Sequence, residues 1–218
     1  MAKTRTAVLV SGRGSNMVAL LNAAEAENFP AAITLVLSNR ADAAGLAEAE
    51  KRGVETVVID HREFDDRTAF EARLNQTLGE AKIELVCLAG FMRLLTADFV
   101  DAWRDRLVNI HPSILPAFKG LQTHERALSA GVRIHGATAH FVRAEMDEGP
   151  VIVQGAVPVL PSDTAESLAA RVLAVEHRIY PIAVALVAER KARVVNEKVM
   201  VDEDGGHAGD ILIVPHCA

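Results

Sequence analysis

Short runs of consecutive apolar residues recur through the first half of the chain. Each is followed by a turn and a stretch of helix formers, and few folds accommodate that alternation. The first run, residues 7–10, reads Ala-Val-Leu-Val. It is apolar at every position rather than every second one, so both faces of the strand must be covered. Further runs at residues 33–37, 57–59, 85–88 and 107–110 repeat the pattern. Helical segments are expected between them, at about residues 16–26, 43–51, 67–81 and 96–103, with Gly53 placed to end the second. Strands alternating with helices predict right-handed crossovers and a parallel sheet covered on both faces. The expected class is therefore α/β, a Rossmann-like open, mostly parallel sheet with helices on both faces. Such sheets bind ligands beyond the carboxyl ends of their strands.

The rhythm changes after about residue 132. Residues 134–141 and 151–159 read as extended runs joined by the polar turn 143–150, an antiparallel C-terminal portion. Asp163-Thr164-Ala165-Glu166 resembles the start of a capped helix running to about Tyr180, where Pro181 should kink it or begin a new helix. Asp202-Glu203-Asp204-Gly205-Gly206 reads as a hairpin or loop, and residues 211–214 as packing or an intersubunit strand. No repeat or linker divides the chain. One domain over residues 1–195 is the simpler reading, with a tail over 196–218.

Composition removes several function classes. With 23 Lys and Arg against 29 Asp and Glu, the net charge is −6, unsuited to gripping a phosphate backbone. Apolar runs fall far short of the roughly 20 residues a membrane-spanning helix needs. The N-terminus lacks the pattern of a signal peptide. Cys87, within an apolar run, reads as a reduced buried residue, and a cytoplasmic protein is expected.

Three segments carry candidate chemistry. Ser11-Gly12-Arg13-Gly14-Ser15-Asn16 joins the first strand to the first helix, where backbone N–H groups and the helix dipole favour a phosphate. Met17 stands where a dinucleotide fingerprint would want a third glycine, and no P-loop lysine follows. A plain tight turn capped by Ser15 or Asn16 is the alternative. Asn109 and His111 lie two apart at the end of the fifth strand, so both can face one ligand, and Pro112 holds the histidine extended. An amide donor beside an imidazole suits a developing oxyanion, while a core histidine bonded to backbone is the plainer reading. Glu145-Met146-Asp147-Glu148-Gly149-Pro150 is either a solvated turn or one that folds a carboxylate over His111, favouring the charged imidazole. Thr138 and His140, on one strand face by alternation, are further polar candidates. None of the eight histidines belongs to a zinc signature, and no metal is expected.

Together, Gly12-Arg13-Gly14-Ser15-Asn16, Leu88-Ala89-Gly90-Phe91-Met92-Arg93, Asn109-Ile110-His111-Pro112-Ser113-Ile114-Leu115-Pro116 and Asp147-Glu148-Gly149-Pro150 resemble the phosphoribosylglycinamide formyltransferases in order and spacing. The resemblance runs to about residue 195. It implies the formyltransferase fold, with residues up to about 100 binding the nucleotide phosphate and the remainder binding folate and carrying the chemistry. It implies transfer of a formyl group from 10-formyltetrahydrofolate, as co-substrate, to glycinamide ribonucleotide in purine biosynthesis. Gly14, Ser15, Asn16 and Glu176 would bind the ribonucleotide. Arg67, Phe91, Met92, Arg93, Leu94, Leu95 and Asn109 would bind folate, and Asn109, His111 and Asp147 would be catalytic. Small-molecule substrates are implied, with no nucleic acid or membrane partner, and a homodimer is allowed. Glu148 stands where a small residue is frequent in that family, and Gln122 replaces a histidine. Two other readings remain: a 10-formyltetrahydrofolate hydrolase, in which water replaces the amine, and a non-catalytic nucleotide-binding module.

Overall fold

A computed structural model describes residues 2–202 and the backbone of 212–214. The chain divides into two compact units, Met1–Asn109 and Ile110–Ala218.

The first unit is built from β1 (Thr4–Val10), α1 (Ser15–Ala24), β2 (Ala31–Ser38), α2 (Ala44–Glu50), β3 (Glu55–Val58), α3 (Arg67–Glu80), β4 (Leu85–Leu88) and α4 (Ala97–Ala102). With the start of β5 (Leu107–His111), the strands lie in the order β5-β4-β1-β2-β3, all parallel. Residues 7–10 of β1 are wholly buried, as an uninterrupted apolar run requires. The chain moves from β1 to β3 in one direction and then returns to β4 on the other side of β1. Right-handed crossovers therefore put α1 and α2 on one face and α3 and α4 on the other. Met17, Leu20 and Leu21 form the buried stripe of α1, and Phe70, Leu74 and Leu78 that of α3. Glu71 of α3 accepts hydrogen bonds from the Thr96 N–H and hydroxyl, and Asn75 accepts from Trp103 Nε1 at 2.7 Å, tying α3 to α4.

The second unit carries α5 (Thr123–Ser129), β6 (Ile134–Phe141), β7 (Val151–Pro158), α6 (Ala165–Ala188), β8 (Ala192–Val195), β9 (Lys198–Val201) and β10 (Leu212–Val214). The expected antiparallel pairing of β6 and β7 is present, from Ile134 opposite Pro158 to His140 opposite Val151, with an irregularity at Ala139/His140. Gly136 allows close approach here: a Cβ would lie 1.9 Å from the Gly155 carbonyl oxygen. Thr164 caps α6 through a capping box with Ser167.

No new helix begins at Pro181. The helix continues through it for 24 residues. Its buried face, from Leu168 through Val172, Val175 and Ile179 to Ala183, keeps one helical stripe on both sides of the proline. That stripe packs against β6 and β7, and tertiary packing overrides the local preference. The β8–β9 hairpin, with Asn196 and Glu197 both left-handed at its turn, lacks a sequence reading of its own. Leu212–Val214 pair antiparallel with Gln154–Ala156 of the same chain, adding a strand beside β7. Residues 203–206 of the acidic loop and Ile211 lie outside the described residues. Among the described residues, no helix is long and apolar enough to cross a membrane.

Candidate active site

In the first unit the glycine turn follows β1 at the point where strand order reverses. Gly14 is the N-cap of α1, left-handed at φ 72°, and no side chain caps the helix. The turn rests on α2: Gly45 N–H donates to the Gly12 carbonyl at 3.1 Å, and a Cβ on Gly14 would meet Gly45 Cα at 3.2 Å. Neither Ser15 nor Asn16 is the cap that the plain-turn reading expected, since Gly14 takes that position. Both are in the first turn of α1, where its N–H donors and the positive end of the dipole lie.

Residues 91–96 leave β4 without regular secondary structure. Phe91 is buried, Arg93 and Leu95 are half-buried, and Met92 and Leu94 are 68% and 59% exposed. Apolar side chains held in water on an irregular segment suit an apolar ligand. Arg67 is the first residue of α3 and exposed. Asn109 lies opposite Leu88 in the β4–β5 register, two residues before His111.

The second unit resolves the acidic turn. Asp147 folds inward, its side chain 9% exposed, while Glu148 reaches out to Lys119 at 2.7 Å. Asp147 Oδ2 lies 3.4 Å from His111 Nδ1 and accepts the Gly120 N–H at 2.9 Å, and Oδ1 lies 3.9 Å from His140 Nε2. The other ring nitrogen of His111 lies 3.1 Å from the Phe118 carbonyl oxygen. Both nitrogens of His111 therefore face oxygen atoms. His140 is 2% exposed, and burial pushes its ring down to about 4, with Phe141 O and Asp147 opposing. It is a neutral neighbour of the carboxylate.

Thr138, a supporting polar candidate, bonds to the segment 113–115. Its hydroxyl donates to the Ser113 carbonyl at 2.7 Å and accepts the Leu115 N–H at 3.0 Å, while Gln154 Nε2 lies 3.0 Å away. It fixes the segment that follows His111. Glu176 is 7% exposed on α6, between Val175 and His177. A cavity of about 520 Å³ adjoins Asp147, bordered by Leu115, Pro116, Lys119, Gly149 and Lys198. Sequence reasoning missed Phe118, Gly120 and Gln154. The first two contribute backbone atoms, which side-chain identity does not announce.

Among the described residues, no three His, Cys, Asp or Glu side chains converge as metal ligands do. The formyl transferase family pattern matches residues 4–184. The phosphoribosylglycinamide formyltransferase of Escherichia coli K12 is 41% identical over 186 residues, 85% of this chain and 88% of that protein. The trifunctional purine biosynthetic protein adenosine-3 of Gallus gallus is 47% identical over 192 residues, 88% of this chain; the matched region is 19% of that longer protein. The crystal structure of glycinamide ribonucleotide transformylase 1 from Symbiobacterium toebii superposes with a TM-score of 0.89 at 45% identity, covering 91% of this chain and 94% of that one.

Proposed function

The chain belongs to the formyl transferase family, and on that premise we propose that it transfers a formyl group from 10-formyltetrahydrofolate to the amino group of glycinamide ribonucleotide in purine biosynthesis. The observation that carries this reading is the Asp147 carboxylate beside His111 Nδ1 at 3.4 Å. Of the three acidic residues in the turn, that one alone is folded onto the imidazole.

The amine nitrogen attacks the formyl carbon, and the carbonyl electron pair moves to oxygen. His111 and the Asn109 amide stabilise this oxyanion. His111 keeps Nδ1 on Asp147 and exchanges the Phe118 carbonyl for the oxyanion at Nε2. Collapse of the tetrahedral carbon breaks its bond to the folate nitrogen, which takes the proton released by the attacking amine, through Asp147 or a water molecule. Gly14, Ser15 and Asn16 hold the ribonucleotide phosphate, Glu176 its ribose hydroxyls. Arg67 and residues 91–95 bind the folate. Both substrates are water-soluble, and the reading places the reaction in the cytoplasm.

The test is an absorbance assay of 10-formyltetrahydrofolate with and without glycinamide ribonucleotide. Loss of the formyl group only when the amine is present, with formylated ribonucleotide as product, is expected. Equal loss without the amine would make the protein a hydrolase, and no loss from folded protein would leave a binding module.

A further inference from the structure

Ser11 has no role in the chemistry above, yet it holds the turn after β4 at both ends. Its N–H donates to the Gly90 carbonyl at 3.2 Å, and its hydroxyl accepts the Met92 N–H at 2.8 Å. The same hydroxyl donates to Asn39 Oδ1 at 2.5 Å, and Asn39 Nδ2 lies 3.2 Å from His61 Nδ1. Ser11 is 9% exposed and Asn39 2%.

These contacts take over where the sheet stops. The bond from Ala89 N–H to the Leu9 carbonyl, 2.9 Å, continues the β1–β4 ladder. Beyond it, residues 91–96 have no regular backbone pairing to fix their position. Ser11 supplies it, immediately before Gly12 of the phosphate turn. Asn39 sets the direction of the hydroxyl. Its oxygen takes the serine proton, which turns a serine lone pair toward Met92 N–H.

We propose that Ser11, backed by Asn39, is a positioning residue that fixes the formyl-folate segment 91–95 in register with the phosphate-binding turn. The inference rests on the functional reading above, which gives segment 91–95 to the formyl donor.

The experiment compares wild type, Ser11→Ala and Ser11→Thr in steady-state kinetics with both substrates varied, alongside urea unfolding. Ser11→Ala removes the acceptor of Met92 N–H and should raise the KM for the formyl donor about tenfold, the size of one part-buried hydrogen bond. The KM for the ribonucleotide and kcat should change little, and Ser11→Thr, which keeps a hydroxyl, should restore the donor KM. An unchanged donor KM in Ser11→Ala, an equal rise in both KM values, or a fall in kcat alone overturns the proposal. Should Ser11→Ala fail to fold, Asn39→Leu is read in its place, with a donor KM raised about threefold by the loosened hydroxyl. Hydrogen exchange at the Met92 amide separates this inference from the functional reading. If the wild type transfers no formyl group, that reading fails. The clamp then stands if the amide is protected in the wild type and released in Ser11→Ala, and falls if the two exchange alike.

Discussion

Asp147 adopts a left-handed backbone at φ 57°, which turns its carboxylate back onto His111 while Glu148 points to Lys119. Asp tolerates that conformation better than most residues, because its short polar side chain can bond locally. Asp147→Asn keeps an oxygen for Gly120 N–H but removes the charge beside the imidazole. It should lower kcat by about 10²–10⁴, with the fold intact by circular dichroism. Asn109→Ala should cost about 10²–10³ in kcat while the ribonucleotide still binds, measured by turnover and by calorimetric titration. Near-normal turnover in either variant would remove that residue from the chemistry. These positions differ in how far the sequence discloses them. The placement of Asn109 and His111 two apart at the end of β5 is legible, because a strand fixes the direction of such residues. The choice among Glu145, Asp147 and Glu148 is not, since it depends on one φ angle inside a turn whose composition suits a solvated loop equally well.

At the scale of elements, the site depends on how tightly the turn 145–150 closes on β6. Phe141 N–H donates to the Pro150 carbonyl at 2.9 Å, and a Cβ on Gly149 would stand 1.7 Å from the Phe141 carbonyl oxygen. A backbone oxygen cannot yield as a flexible side chain would. Gly149→Ala must therefore push the turn outward, and Asp147 with it. The variant should lose about 1–3 kcal/mol of stability by urea unfolding and most of its activity. Wild-type stability would show that the turn is looser than this packing. Facing that turn, Phe118 and Gln122 are also left-handed, at φ 55° and 56°, a costly conformation for such side chains. They shape the segment that brings the Phe118 carbonyl to His111 and the Gly120 N–H to Asp147. The strands and long helices around them are legible because their apolar periods are long and uninterrupted. This segment and the β8–β9 hairpin are not, because their conformation is set by tertiary contacts and by residues such as Glu197, which does not advertise a left-handed turn.

At the scale of the molecule, the alternation of apolar runs and helix formers discloses the α/β class, because only covered parallel strands use it throughout. The electrostatic character of the second unit is less visible in composition. Burial lowers the rings of His124, His135, His140 and His177, two of them to about 4. His135 is 1% exposed, edge-on to Phe118 and His124, with the Pro112 carbonyl nearby but no hydrogen bond to either ring nitrogen. In the unfolded chain such rings protonate near pH 6.5. Between that value and about 4 the unfolded state binds more protons than the folded one, so stability is full above pH 6.5 and is lost as the pH falls through that window. Each ring contributes a slope of up to about 1.4 kcal/mol per pH unit. Urea unfolding at a series of pH values should therefore show stability falling near pH 5 more steeply than one histidine allows. His135→Phe, which fills the same space between Phe118 and His124 without a titrating group, should reduce that slope by up to one histidine's share. A flat profile from pH 7 to 5, or a slope untouched by His135→Phe, would mean that these rings take up protons without unfolding and are not held neutral by burial.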